Sequence, residues 1–333
     1  MPQASELVAR TGRSLPHVIG ADAVGGPGLD HLIGWLARNA GEIDAAILKH
    51  GAVMLRGFPI ATTEDFARLL EPMTPFGLSY AGGATPRAAI KGRVYEASRV
   101  SAQMRIMLHQ EMAYLPHYPG RLAFFCQRPA ESGGATTVGD MRAFTARLPR
   151  HLREAVESRG VMHTRNFRAP HQLDGRETPV FNHRTWQEAF YTDDPAEAEA
   201  ACRAQDLEFH WLDDGSLSVV HRAPGFVDHP ATGERVWFNH FASQVIHPRW
   251  MKDAYPAFHA VYGNNLPRPT DTRYGDGGRI ADADFEAIHD LLDAITVDFP
   301  WQKGDVLLLD NILTAHGRSP YIGDRDVQVS LLA

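Results

Sequence analysis

The chain has 333 residues, a formal net charge of -7, 44% hydrophobic and 22% charged residues, which is the balance of a soluble globular protein able to bury a sizeable core. It carries no basic stripe and no block of like charge, which argues against nucleic acid or an anionic membrane surface as a partner. Cys126 and Cys202 have no CxxC partner, so neither a disulfide framework nor a structural zinc site is suggested, and a reducing cytoplasm is the expected compartment.

Neither the opening MPQASELVARTGRSLPHVIG nor any later stretch has the apolar length of a signal peptide or a membrane span. The first predicted element is a helix over 29–50, where Leu32, Ile33, Leu36, Ile43, Ala46, Ile47 and Leu48 recur at helical spacing. AVMLRGF at 52–58, bounded by Gly51 and Pro59, has strand length, and a helix with Thr63 as its N-cap follows. From about 80 to 140 the pattern predicts short strands, GRVYEAS, RIMLHQE, RLAFFCQ and ATTVGD, separated by Gly and Pro signals. Residues 143–158 read as helix broken at Pro149, and 165–193 as a long surface excursion containing Pro170 and Pro179. A helix is predicted over 196–204, and EFHWLDDGSLSVVHR reads as a hairpin turning at Asp213, Asp214 and Gly215. ERVWFNHF continues the β pattern, a helix is predicted over 282–297, and the end is β again: GDVLLLDN, a loop HGRSPYIGDR, then DVQVSLLA. No repeat or low-complexity linker interrupts the chain, so 1–333 is expected to form one domain, mainly β with surrounding helices, a double-sheet jelly roll.

Within RIMLHQE, His109 and Glu111 lie two positions apart, and the side-chain period of a strand puts both on one face with Arg105 and Met107. The apolar strand of LLLDNILTAHGR brings a further imidazole, His316, to the mouth of a loop. Two histidines and one carboxylate on one face of an octahedral ion suit iron(II) and leave positions open for other ligands. An HxE triplet alone is weak, because it also describes a hydrogen-bonded core histidine beside a solvated glutamate. Nine residues past His316 stands Arg325, able to grip a carboxylate bidentately, and Thr136 follows Gly133 and Gly134 in ESGGATT. Each has a plainer reading: Arg325 pairs with Asp324 or Asp326 on the surface, and GGATT is a hairpin turn.

Taken together, GAVMLRGF at 51–58, SYAGGATPR at 79–87, LHQEMAYLPHYPGRLAFFCQRPAESGGATTVGD at 108–140, HPATGERVWFNHF at 229–241 and WQKGDVLLLDNILTAHGRSPYIGDR at 301–325 resemble the TauD/TfdA superfamily. The resemblance is closer to its branch with clavaminate synthase and the SyrP-like hydroxylases. It implies a distorted double-stranded β-helix, cupin-like, with His109, Glu111 and His316 as iron(II) ligands and Thr136 and Arg325 holding the far carboxylate of 2-oxoglutarate. Dioxygen is the other co-substrate. The superfamily's usual carboxylate is Asp, and Glu111 follows this branch; HQE stands where the branch more often shows HNE. A carboxylate at 111 disfavours halogenation, which in similar enzymes leaves that position open for chloride.

The implied reaction is hydroxylation of an unactivated C–H bond of an amino acid or its derivative, free or presented on a carrier protein. Desaturation, epoxidation or cyclisation can branch from the same chemistry. Arg105 is the expected contact to an acidic substrate, with a strand-end arginine reaching solvent as its alternative. Tyr80, Arg87 and Asn239 are the other substrate candidates, whereas Trp186, Trp211, His117, His240 and His247 read as structural. Two rivals from other classes are a non-catalytic cupin-like binding module and a metal hydrolase; neither needs dioxygen.

Overall fold

The computed structural model describes residues 14–26, 28–77, 89–98, 100–170, 183–263 and 267–333. Tyr80 and Arg87 lie outside them. The predicted helix over 29–50 is two helices, Leu29–Arg38 and Ala40–His50. Asn39 divides them, its side-chain amide donating to the Trp35 carbonyl at 2.7 Å, the kind of local side-chain bond that competes with helix continuation. The next helix, Thr63–Leu70, is capped by Thr62 rather than Thr63, through a reciprocal box with Asp65. Thr63 is instead buried, donating to Gln127 and accepting from Gln328.

Seven strands form the large sheet, in the order His17–Gly20, Ala52–Arg56, Val306–Asp310, Arg121–Arg128, Asp326–Leu332, Val94–Glu96 and Ala89–Lys91. The first pair is parallel and the rest antiparallel. A small antiparallel sheet runs Thr296–Phe299, Thr136–Asp140, Thr314–Arg318, Ile106–His109. Met54, Phe124, Leu307 and Val329 of the large sheet share an apolar cluster with Val138 and Val297 of the small one, so the two pack face to face.

On the outer side of the large sheet, Val53, Leu55, Phe125 and Leu308 bury Phe66, Leu69 and Leu70 of the capped helix. Each of those side chains contributes ~1.5–3 kcal/mol of burial. Leu108 and Ala315, outward on the small sheet, pack on Phe144, Ile288 and Ile295 from the helices Met141–Arg147 and Asp282–Ile295. The last two residues of the predicted 282–297 helix begin the strand Thr296–Phe299. The break expected at Pro149 separates Met141–Arg147 from Arg150–Arg159. The result is a mainly β protein with helices outside a two-sheet sandwich, the jelly-roll-like architecture expected.

A third sheet, Glu208–Trp211, Leu217–Ala223, Val161–Phe167 and Thr270–Tyr274, contains the expected hairpin. It also corrects the excursion predicted from Arg165: residues 165–167 belong to the strand Val161–Phe167, and Arg165 is buried. Polar residues at its inward positions, His163 and Arg165, hid the alternation that marks a half-buried strand. Among the described residues no helix is long and apolar enough to cross a membrane.

Candidate metal centre

The strand Val306–Asp310 ends at Asp310, and His316 does not lie at the mouth of the loop after it but inside a further strand, Thr314–Arg318, of the small sheet. Asp310 makes that change of sheet: one carboxylate oxygen accepts from the amides of Ile312 and Leu313 and the other from His229 Nε2 at 2.9 Å. In the new strand His316 is the direct cross-strand partner of His109, and neighbours in such a pair share a face. Their rings lie 4.4 Å apart, centroid to centroid.

Glu111 lies just beyond the strand Ile106–His109. Its placement therefore comes from a clamp and not from the strand period expected of RIMLHQE. Asn311 accepts from the Glu111 amide at 2.7 Å and donates to the Glu111 carbonyl at 2.9 Å and to the Pro119 carbonyl at 2.8 Å. Gln110 points away, donating to the carbonyls of Trp237 and Ile312. Nothing local in HQE announces this clamp; the DN of LLLDN supplies it.

His109 Nε2, Glu111 Oε2 and His316 Nε2 converge, with one oxygen of Glu111 4.0 Å from His109 and 3.7 Å from His316. The three ligand atoms all lie within 4.8 Å of one another. At that spacing the three side chains could together hold one divalent cation. His109 Nδ1 faces the Met107 carbonyl at 2.9 Å, which places its proton there and leaves Nε2 as the donor atom. Burial, reinforced by His316, pushes the His109 imidazolium down to about 3. Neutral imidazole and an ionised carboxylate form a donor set of charge -1, suited to a divalent cation, and the residues present fit iron(II).

Thr136 opens the strand next to His316's and is the cross-strand partner of Arg318. Its buried hydroxyl accepts from Trp301 Nε1 at 3.0 Å, which leaves the hydroxyl proton to donate. Arg325 Nε donates to the Gly134 carbonyl at 2.9 Å. Gly134 has φ +67°, and a Cβ there would lie 3.1 Å from Arg325 Cδ. Arg325 thus packs on Gly134, two residues before Thr136, and burial, with Arg318 nearby, lowers the Arg325 guanidinium to about 10.

The remaining candidates are placed otherwise. Arg105 pairs with Asp293 at 3.3 Å, and Asp293 is also held by Arg249 at 3.0 Å. Asn239 donates to the Gly225 carbonyl and accepts from the Phe241 amide, as a core hydrogen-bonder does. Trp186 and Trp211 stack edge to face at 5.3 Å. His240 packs against both Tyr114 and His109 and bonds the Gln110 carbonyl at 2.9 Å, behind the ligands rather than among them.

The family model described as "Taurine catabolism dioxygenase TauD, TfdA family" matches residues 11–331. The dapdiamide synthesis protein DdaC of Enterobacter agglomerans is 30% identical over 87% of this chain and 84% of its own. A clavaminate synthase-like protein of Arabidopsis thaliana is 29% identical over 87% of this chain and 83% of its own. Among solved structures, a taurine dioxygenase from Burkholderia xenovorans aligns at 16% identity and a TM-score of 0.47, covering 89% of this chain and 80% of that one.

Proposed function

Because the chain belongs to the TauD, TfdA family of dioxygenases, we propose that it is an iron(II)- and 2-oxoglutarate-dependent oxygenase that hydroxylates a C–H bond of an amino acid or amino-acid derivative. The observation that carries the reading is the convergence of His109, Glu111 and His316 within 4.8 Å. Those three hold the iron. Bound there, iron(II) with 2-oxoglutarate and dioxygen supplies a two-electron oxidation of substrate, one oxygen atom entering the product while 2-oxoglutarate leaves as succinate and carbon dioxide.

The chain's own residues do the positioning. Asn311 and Gln110 fix the backbone that carries Glu111, and the Met107 carbonyl sets the His109 tautomer. Thr136 and Arg325 receive the far carboxylate of 2-oxoglutarate, the hydroxyl as donor and the guanidinium as counter-charge. Phe124, whose ring centroid lies 5.2 Å from that of His316, supplies an apolar wall that keeps bulk water from that side. The relative named for dapdiamide synthesis supports a biosynthetic substrate, free or carrier-bound.

The test is an anaerobic titration with iron(II) and 2-oxoglutarate, watched for the visible charge-transfer band of the chelate. Wild type shows the band, His109→Ala loses it, and Arg325→Ala needs far more 2-oxoglutarate to reach it. A wild type without the band sinks the proposal. Product analysis then separates hydroxylation from desaturation, epoxidation or cyclisation.

A further inference from the structure

The inward face of the third sheet carries charge where a core is usually apolar. Arg165 sits in the strand Val161–Phe167 and is 2% exposed. Its cross-strand partners are Val219 and Thr270, neither of them an anion. Neither Nη1 nor Nη2 has a hydrogen-bond partner among the described residues. The groups that face the guanidinium are the Tyr114 ring, 5.2 Å away, the Phe167 ring at 5.9 Å, and Cys202. Among the described residues no carboxylate opposes it, and at about 10 the group, lowered by burial, stays cationic near neutral pH.

Two positions earlier, His163 is 1% exposed. Its Nδ1 lies 3.3 Å from Thr272 Oγ1 while its Nε2 has no partner among the described residues. A buried guanidinium without a counter-ion costs several kcal/mol, a cost that a bound anion would offset. The face adjoins the candidate ligands through Tyr114, three residues past Glu111: the Tyr114 ring is 5.2 Å from the Arg165 guanidinium and 5.0 Å from the His240 ring, which is 6.0 Å from that of His109.

We infer that Arg165, flanked by His163, is the anchor for a carboxylate on the substrate, and that the enzyme takes a free acid. This rests on the oxygenase reading and deepens it, moving the acid contact from Arg105, which is already paired with Asp293, to Arg165. A planar guanidinium whose two terminal nitrogens are buried and unpaired among the described residues receives a carboxylate in two parallel bonds once the packing beside it admits one. An aminoacyl group tethered as a thioester has spent its α-carboxyl and meets this anchor only where its side chain carries a second carboxylate, so the free amino acid is the favoured form.

The probe is acetate, with neutral acetamide as its isostere, added at constant ionic strength to protein holding iron(II) and 2-oxoglutarate under anaerobic conditions. 2-Oxoglutarate occupies the Arg325 carboxylate site, so acetate reports on the second one. Acetate raises the thermal unfolding midpoint of the wild type, acetamide does not, and the rise disappears in Arg165→Met. Without acetate, Arg165→Met unfolds at a midpoint no lower than wild type, because removing an uncompensated buried charge does not destabilise. Arg165→Lys keeps a reduced rise and decides the matter if the Met variant does not fold.

The inference is overturned by an equal acetate effect in wild type and Arg165→Met, by no effect in wild type, or by a lower midpoint of Arg165→Met without acetate, which would mark a structural arginine. It is also overturned if Arg165→Met loses the ferrous 2-oxoglutarate band, since the residue would then serve the co-substrate. A wild type lacking the band sinks the oxygenase reading instead, and the acetate comparison, repeated without 2-oxoglutarate, still judges the anion site.

Discussion

Asn311 illustrates how much of the metal centre depends on a side chain that touches no ligand atom. It accepts from the Glu111 amide and donates to the Glu111 and Pro119 carbonyls, all buried. Asn311→Ala leaves those groups unsatisfied, an expected loss of ~1–3 kcal/mol, with iron(II) affinity falling ~10–100-fold as Glu111 loses its orientation. Urea unfolding and iron titration measure the two effects; unchanged iron affinity in a folded variant would show that Glu111 holds its place without Asn311. A second residue-scale consequence concerns buried histidines. Burial drives His183, His240 and His289 from 6.5 down to about 4. Between those values the unfolded chain binds protons that the folded one refuses, so the stability these groups contribute is present above pH 6.5 and declines as pH falls towards 4. Each group contributes at most ~1.4 kcal/mol per pH unit in that window. The urea midpoint is expected to drop steadily from about pH 7 to pH 5, and a level midpoint across that range would refute the assignment.

At the scale of elements, the pairing of Ile106–His109 with Thr314–Arg318 determines whether two ligands meet. A register irregularity falls between His316 and Arg318, at Gly317. A Cβ on Gly317 would lie 2.5 Å from the Ile106 carbonyl oxygen and 2.7 Å from Thr137 Oγ1, both fixed by the sheet. Gly317→Ala therefore pushes the strands apart, with an expected cost of ~1–3 kcal/mol from overpacking and a weakened or absent iron-dependent band. A variant with wild-type stability and band would show that the sheet yields at that point. Much of this level was legible in the sequence. The apolar runs at 52–56, 121–128 and 306–310 are strands buried on both faces, and the Pro149 break stands where the missing amide of proline requires it. The division at Asn39 was missed because its side-chain bond to the Trp35 carbonyl leaves the helical spacing of the apolar residues intact, and the cap was placed one residue late because either of two adjacent threonines could serve.

At the scale of the molecule, we propose that 1–333 folds as one unit. The large sheet draws its outer strands from 17–20 and 89–96 and its inner ones from 121–128, 306–310 and 326–332, so no single cut in the chain leaves it whole. Tryptophan fluorescence, which includes Trp186 and Trp211 beside the third sheet, and far-ultraviolet circular dichroism are expected to report one coincident urea transition. Two separated transitions would divide the chain.

The sequence by itself determined the family resemblance and much of the alternation of strands, because motifs and a period of two are properties of short segments, and through that resemblance it offered His109, Glu111 and His316 as candidate ligands and Thr136 and Arg325 as a candidate carboxylate pair. Only the tertiary structure decided that Arg105 is paired with Asp293, that Asn311 holds Glu111, and that Arg165 is buried with its terminal nitrogens unpaired among the described residues. Each of those depends on a contact between segments distant in the chain. Burial and counter-charge are set by what the fold brings alongside, and no local pattern records it.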